Sequence, residues 1–110
     1  VKFVAKTYEI IMQNQYNAAV QHFIALLQEY NLLQKYHLER IGIFGSLVRG
    51  EVAHDVDILV ENVGNYQNLI KFKDELEQLI GQKVDVVIEK FANPIVLYRA
   101  KKEIIYVSQH

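Results

Sequence analysis

Cysteine is missing from all 110 residues, which excludes disulfide frameworks and thiolate zinc sites. Basic charge in excess is missing too. Twelve Lys and Arg face thirteen Asp and Glu, for a formal net charge of -1, and neither half carries a basic block. A groove that holds nucleic acid by phosphate attraction needs such a block, so no direct nucleic-acid partner is expected. No apolar run approaches the ~18 residues that span a bilayer, and no signal-peptide pattern is present. A cytoplasmic protein with no membrane partner is therefore expected. Internal repeats and low-complexity linkers are absent. The seven tyrosines form no ladder of the kind that stacks single-stranded nucleic acid. His22, His37, His54 and His110 show no ligand spacing with one another, and His54, beside Asp55, reads as an exposed loop histidine.

What is present is a chain that should fold. Hydrophobic residues make up 51% and charges are mixed. The length suits one domain over residues 1–110. It opens at Val1 rather than Met, so a short native start is expected ahead of it. Val20, Phe23, Ile24, Leu27 and Tyr30 recur at helical spacing and predict an amphipathic helix over about residues 16 to 34. The preceding VKFVAKTYEIIMQ fits helix and strand equally. IGIF (41 to 44), VDILVE (56 to 61) and KVDVVIE (83 to 89) read as strands. Leu69, Phe72, Leu76, Leu79 and Ile80 mark a helix over 66 to 80 that Gly81 closes. Asn93-Pro94 supplies a cap and first-turn proline for a helix through about Lys102, and IIYV (104 to 107) reads as a last short strand. The alternation predicts an α/β (α+β) domain: a small mixed β-sheet with helices on one face.

Two aspartates inside an apolar strand need an explanation. Side chains alternate along a strand, so Asp55 and Asp57 share one face while Val56, Ile58 and Val60 share the other. Their Cα atoms should lie roughly 6.5 to 7 Å apart. Asp85 alternates in the same way with Val84, Val86 and Ile88. If the two strands are neighbours, three carboxylates meet on one patch, and each raises its neighbours' pKa unless a cation intervenes. Hard divalent cations prefer such oxygen ligands, and Mg²⁺ is the usual choice when phosphates complete its shell. Two such ions activate an attacking oxygen and stabilise a leaving one. Upstream, Gly45-Ser46 ends the first strand. A strand, a tight turn and a helix start would leave backbone N–H groups free to seat a phosphate, with the Ser46 hydroxyl adding a bond or capping the helix that contains Leu47, Val48 and Arg49. Arg49 would pair with a phosphate or bridge to Glu51.

FGSLVRGEV, then DVDILVE, then VDVVIE resemble the motif set of the DNA polymerase β-type nucleotidyltransferases. More closely they resemble the minimal nucleotidyltransferase (MNT) antitoxins that pair with HEPN-domain RNase toxins. The resemblance covers about residues 18 to 107 and implies a nucleotidyltransferase fold. It also implies Mg²⁺ and ATP as cofactors and transfer of a nucleotidyl group to a hydroxyl. Carried over by position, Gly45 and Ser46 would hold the triphosphate, Asp55 and Asp57 the metals. Asp85 would complete the first metal site and help deprotonate the attacking hydroxyl. The eight residues LVRGEVAH between Gly-Ser and D-x-D are fewer than the family usually has, which would shift the phosphate seat relative to the metals. The acceptor implied is a tyrosine hydroxyl of a HEPN toxin, modified with AMP. Two other readings stand beside it: an antitoxin that inhibits its toxin by binding alone, and a small-molecule adenylyltransferase whose acceptor pocket is completed by dimerisation. The chain leaves open a homo- or hetero-oligomer.

Overall fold

β-Branched segments that alternate apolar and polar residues assemble into one five-stranded mixed sheet, in the order β1-β5-β2-β3-β4. The strands are β1 (Lys2–Phe3), β2 (Arg40–Phe44), β3 (Asp55–Val60), β4 (Lys83–Ile88) and β5 (Ile105–Ser108). β3 and β4 run parallel, and every other pairing is antiparallel. The computed structural model describes residues 2–3, 16–52 and 55–109. Most of the ambiguous N-terminal stretch therefore lies outside the described residues, as do His54 and His110.

The helices are α1 (Ala18–Glu29), α2 (Leu32–Lys35), α3 (Tyr66–Ile80) and α4 (Pro94–Glu103), with a 3₁₀ turn at Glu89–Phe91. The single helix expected over 16 to 34 is two. Asn31 adopts the left-handed conformation (φ 49°), and the axis breaks there before Leu32 and Leu33 turn into the core. α3 has the expected limits. Asn65 Oδ1 accepts from Gln67 N at 2.8 Å at its start, and Gly81 (φ 68°) closes its end. α4 starts where Asn93-Pro94 predicts, with Asn93 Oδ1 accepting from Ile95 N at 2.8 Å.

The expected one-sided core is present. Val20, Phe23, Ile24 and Leu27 of α1 and Leu69, Phe72 and Leu76 of α3 pack on Ile41, Ile43, Val56, Ile58, Val60 and Val84. The last strand does more than flank the sheet. β5 lies between β1 and β2, with Val107 opposite Ile41 and fully buried. α4 departs from the expectation of helices on one face, because Leu97 and Ala100 find apolar partners on the opposite one. It lies on the other, acid-bearing face, where Ala100 and Leu97 pack on Phe44, Leu59 and Val87. Among the described residues no helix is long and apolar enough to cross a membrane.

Candidate active site

The parallel register of β3 and β4 brings the acids together. Asp57 is the direct partner of Asp85, and Asp55 is the partner of Lys83. Ladder spacing puts the Asp57 and Asp85 backbones about 4.8 Å apart. Asp55, Asp57 and Asp85 are all half-buried, projecting from the face that α4 covers only further along. Lys83 approaches Asp85 Oδ1 loosely, at 3.9 Å. Among the described residues, no hydrogen-bond donor or ion pair is directed at the Asp57 carboxylate. Burial pushes its pKa up, and the charges of Asp85 and Asp55 push it further. Arg49 opposes that rise, and Glu103 adds to it.

The Gly-Ser turn abuts this carboxylate. Gly45 follows Phe44, the β2 residue paired with Asp57, and has φ 82°. A Cβ built on Gly45 would overlap Asp57 Oδ2 and displace that carboxylate, and the positive φ favours glycine there in its own right. The β2–β3 register thus leaves the turn in contact with the acid. The helix expected to start at Ser46 does not form. Val48 N and Arg49 N bond to Gly45 O at 3.1 and 3.2 Å, Glu51 N reaches Ser46 O at 3.0 Å, and Gly50 (φ 75°) ends the winding after one turn. No helix dipole acts here. What remains of the expected seat are the Ser46 and Leu47 amides and the Ser46 hydroxyl, for which no acceptor or donor is found among the described residues.

Arg49 takes the second of its two expected roles and more. Its guanidinium bonds Glu51 at 3.1 Å and Glu103, at the end of α4, at 2.8 Å. Glu103 is a site residue that sequence reasoning missed, because 54 residues separate it from Arg49 and no local pattern marks it. Asn17 was missed for the same reason. It caps α1 by accepting from Val20 N at 3.0 Å, and its amide also holds Leu47 O at 2.9 Å and Val48 O at 3.2 Å. The start of one helix thereby clamps the turn.

Three carboxylates, one of them held toward its protonated form by burial and by its like-charged neighbours, are donors of the chemical kind that a hard divalent cation takes. Among the described residues, no group of three acidic or histidine side chains stands close enough together to hold a metal ion.

This arrangement, a glycine turn at one strand end facing paired acids on the next two strands, is that of a nucleotidyltransferase. The model of the family "Polymerase beta, Nucleotidyltransferase" matches residues 28–110, and the chain belongs to that family. Its relatives among characterised sequences include the protein adenylyltransferase MntA of Thermococcus cleftensis, 35% identical over 80 residues, covering 69% of this chain and 81% of the relative. A Methanocaldococcus jannaschii protein, provisionally named a protein adenylyltransferase, is 38% identical over 81 residues, covering 69% and 83%. Among solved structures, one provisionally named a minimal nucleotidyltransferase superposes with a TM-score of 0.56 at 26% identity, over 74% of this chain and 93% of that one. A structure of a tri-AMPylated Shewanella oneidensis HEPN toxin in complex with MNT antitoxin has the same fold, with a TM-score of 0.55 at 18% identity over 82% and 71%. A toxin–antitoxin structure with AMP-PNP matches at 20% identity and a TM-score of 0.56, over 74% and 68%. The chain thus stands among the MNT-type homologues of this family.

Proposed function

We propose that the protein is an antitoxin that transfers AMP from ATP to a hydroxyl, a tyrosine's, of a HEPN-domain RNase toxin and so silences it. The observation that carries this reading is the register of Asp57 beside Asp85, with Gly45 packed against Asp57. The relatives' activity and the HEPN complex of the Shewanella protein support the choice of acceptor.

In this reading Asp55, Asp57 and Asp85 would hold Mg²⁺, which would supply charge neutralisation at the phosphates. The side chains do the rest. Gly45 lets the backbone come close to the triphosphate, and the Ser46 hydroxyl and the Ser46 and Leu47 amides bond its oxygens. Arg49 leaves its carboxylate partners for a phosphate, which its planar fork suits better than a lysine would. Asp85, the partner of Asp57, takes the proton of the attacking hydroxyl, whose oxygen bonds the α-phosphorus as the bond to the pyrophosphate leaving group breaks. Holding both reactants in line is the main contribution asked of the protein.

The test is mass spectrometry of a purified HEPN toxin after incubation with this protein, Mg²⁺ and ATP. One or more AMP additions are expected, absent with the Asp55→Ala, Asp57→Ala double variant. An unmodified toxin that the double variant still inhibits would instead establish neutralisation by binding alone.

A further inference from the structure

α4 carries the largest concentration of exposed apolar side chains among the described residues, on the side turned away from the sheet. Phe91, just before it, is 68% exposed, Ile95 63% and Tyr98 64%. Ile95 and Tyr98, three residues apart, share one side of the helix, and Phe91 lies in the 3₁₀ turn ahead of its start. Single exposed apolar residues are ordinary, but large ones grouped on one helix and the turn before it mark a contact surface. The patch is edged with positive charge. Lys90 Nζ lies 5.5 Å from the Phe91 ring centroid, and Lys102 Nζ lies 4.4 Å from that of Tyr98. Arg99 is exposed next to Tyr98. Lys101 pairs with Glu89 at 2.6 Å, whereas Lys90, Arg99 and Lys102 have no acidic partner among the described residues.

We propose that this patch docks a separate protein through an apolar ridge flanked by carboxylates, and that the partner so held is the acceptor of the transferred nucleotide. The proposal rests on the functional reading above and adds the surface and the chemistry of the partner to it. Charge selects the occupant. A second copy applied to the same patch would set lysines and arginine against like charges, while an acidic partner satisfies all three free cations. Position gives the surface its use. The inner side of α4 packs through Leu97 and Ala100 on Phe44 and Leu59, in the strands that carry Gly45 and Asp57. Its last residue, Glu103, bonds Arg49 of the turn at 2.8 Å. A partner lying along α4 is thereby held on the face of the sheet that bears the carboxylates.

Titration calorimetry with a HEPN-domain RNase toxin from the same genome as the probe tests this, with wild type, Ile95→Glu/Tyr98→Glu and Arg99→Glu/Lys102→Glu. Both double variants should bind the toxin at least about tenfold more weakly. Both should bind Mg²⁺ and AMP-PNP as wild type does, which also reports that they are folded. Wild-type toxin binding should weaken as salt is raised. Variants that bind the toxin as tightly as wild type would overturn the docking surface and leave the functional reading standing. A wild type that does not bind the toxin would overturn the functional reading and this surface with it. Self-association of wild type in sedimentation, lost in both variants, would assign the patch to a second copy and overturn the proposal.

Discussion

Asp57 is the residue at which folding and function pull in opposite directions. Its pKa is raised first by burial and then by Asp85 and Asp55, so the folded state prefers its protonated form. A carboxylate whose folded pKa lies above its unfolded value near 3.8 stabilises the fold below that value and loses this contribution as pH rises through the folded pKa. Asp57→Asn, which removes the charge and keeps the shape, should therefore be at least as stable as wild type at pH 7. Its advantage should shrink as pH falls to 3.8 and below. Urea melts of both proteins across that range check the sign; an advantage that grows toward acid would contradict it. Arg49 poses a related competition. Glu51 and Glu103 occupy its guanidinium, and a triphosphate has to displace them. Glu103→Gln removes one competitor and one of the charges that oppose ionisation of Asp57. Its AMP-PNP affinity in Mg²⁺ should rise, roughly two- to fivefold as befits an exposed ion pair. Calorimetry that finds the affinity unchanged or lowered would remove Arg49 from the phosphate seat.

The elements show why parts of this molecule were legible in the sequence and parts were not. α3 and α4 carry their own stop and start signals in Asn65, Gly81 and Asn93-Pro94, and the structure uses each as the sequence implies. Asp55, Asp57 and Asp85 were legible as a set because strand alternation is local, and only the pairing of β3 with β4 was needed to join them. The break at Asn31 was not legible, since the apolar pattern runs on through Leu32 and Leu33 and conceals a change of axis. The short Ser46–Gly50 turn was misread for a different reason. Gly-Ser after a strand suits a helix start, but Gly50 follows too soon for a second turn to form. Contacts made across the chain leave no local trace, as with Glu103 on Arg49 and Asn17 on Leu47 and Val48. Asn17 couples two elements. Asn17→Ala should cost about 1 kcal/mol as a lost helix cap. It should also weaken Mg²⁺-dependent AMP-PNP binding, because the turn carbonyls lose their donor. A denaturant melt and a binding titration on the same sample separate the two effects. Lost stability with unchanged affinity would confine Asn17 to capping.

On the scale of the whole molecule, the sheet divides its labour between its faces. One face meets α1 and α3 in a continuous apolar core, and the other gives part of its area to α4 and the rest to three acids. The second arrangement costs stability in the free protein, because burial and like charges act on Asp57 and Arg49 offsets them only in part. A ligand that binds only the folded chain returns that stability by mass action. At a hundred times its Kd the gain is about 2.7 kcal/mol. For a chain of this length that corresponds to a rise in Tm of roughly 10 °C or more. Mg²⁺ and AMP-PNP together should produce this shift. AMP-PNP with EDTA should not, and the Asp55→Ala, Asp57→Ala double variant should show none under either condition. Ile95→Glu/Tyr98→Glu should keep the full shift, since the α4 patch lies outside the carboxylate site. Differential scanning calorimetry reads every case in one series. An equal shift in EDTA would detach nucleotide binding from the acids. An equal shift in the double variant would move the nucleotide off this face of the sheet altogether.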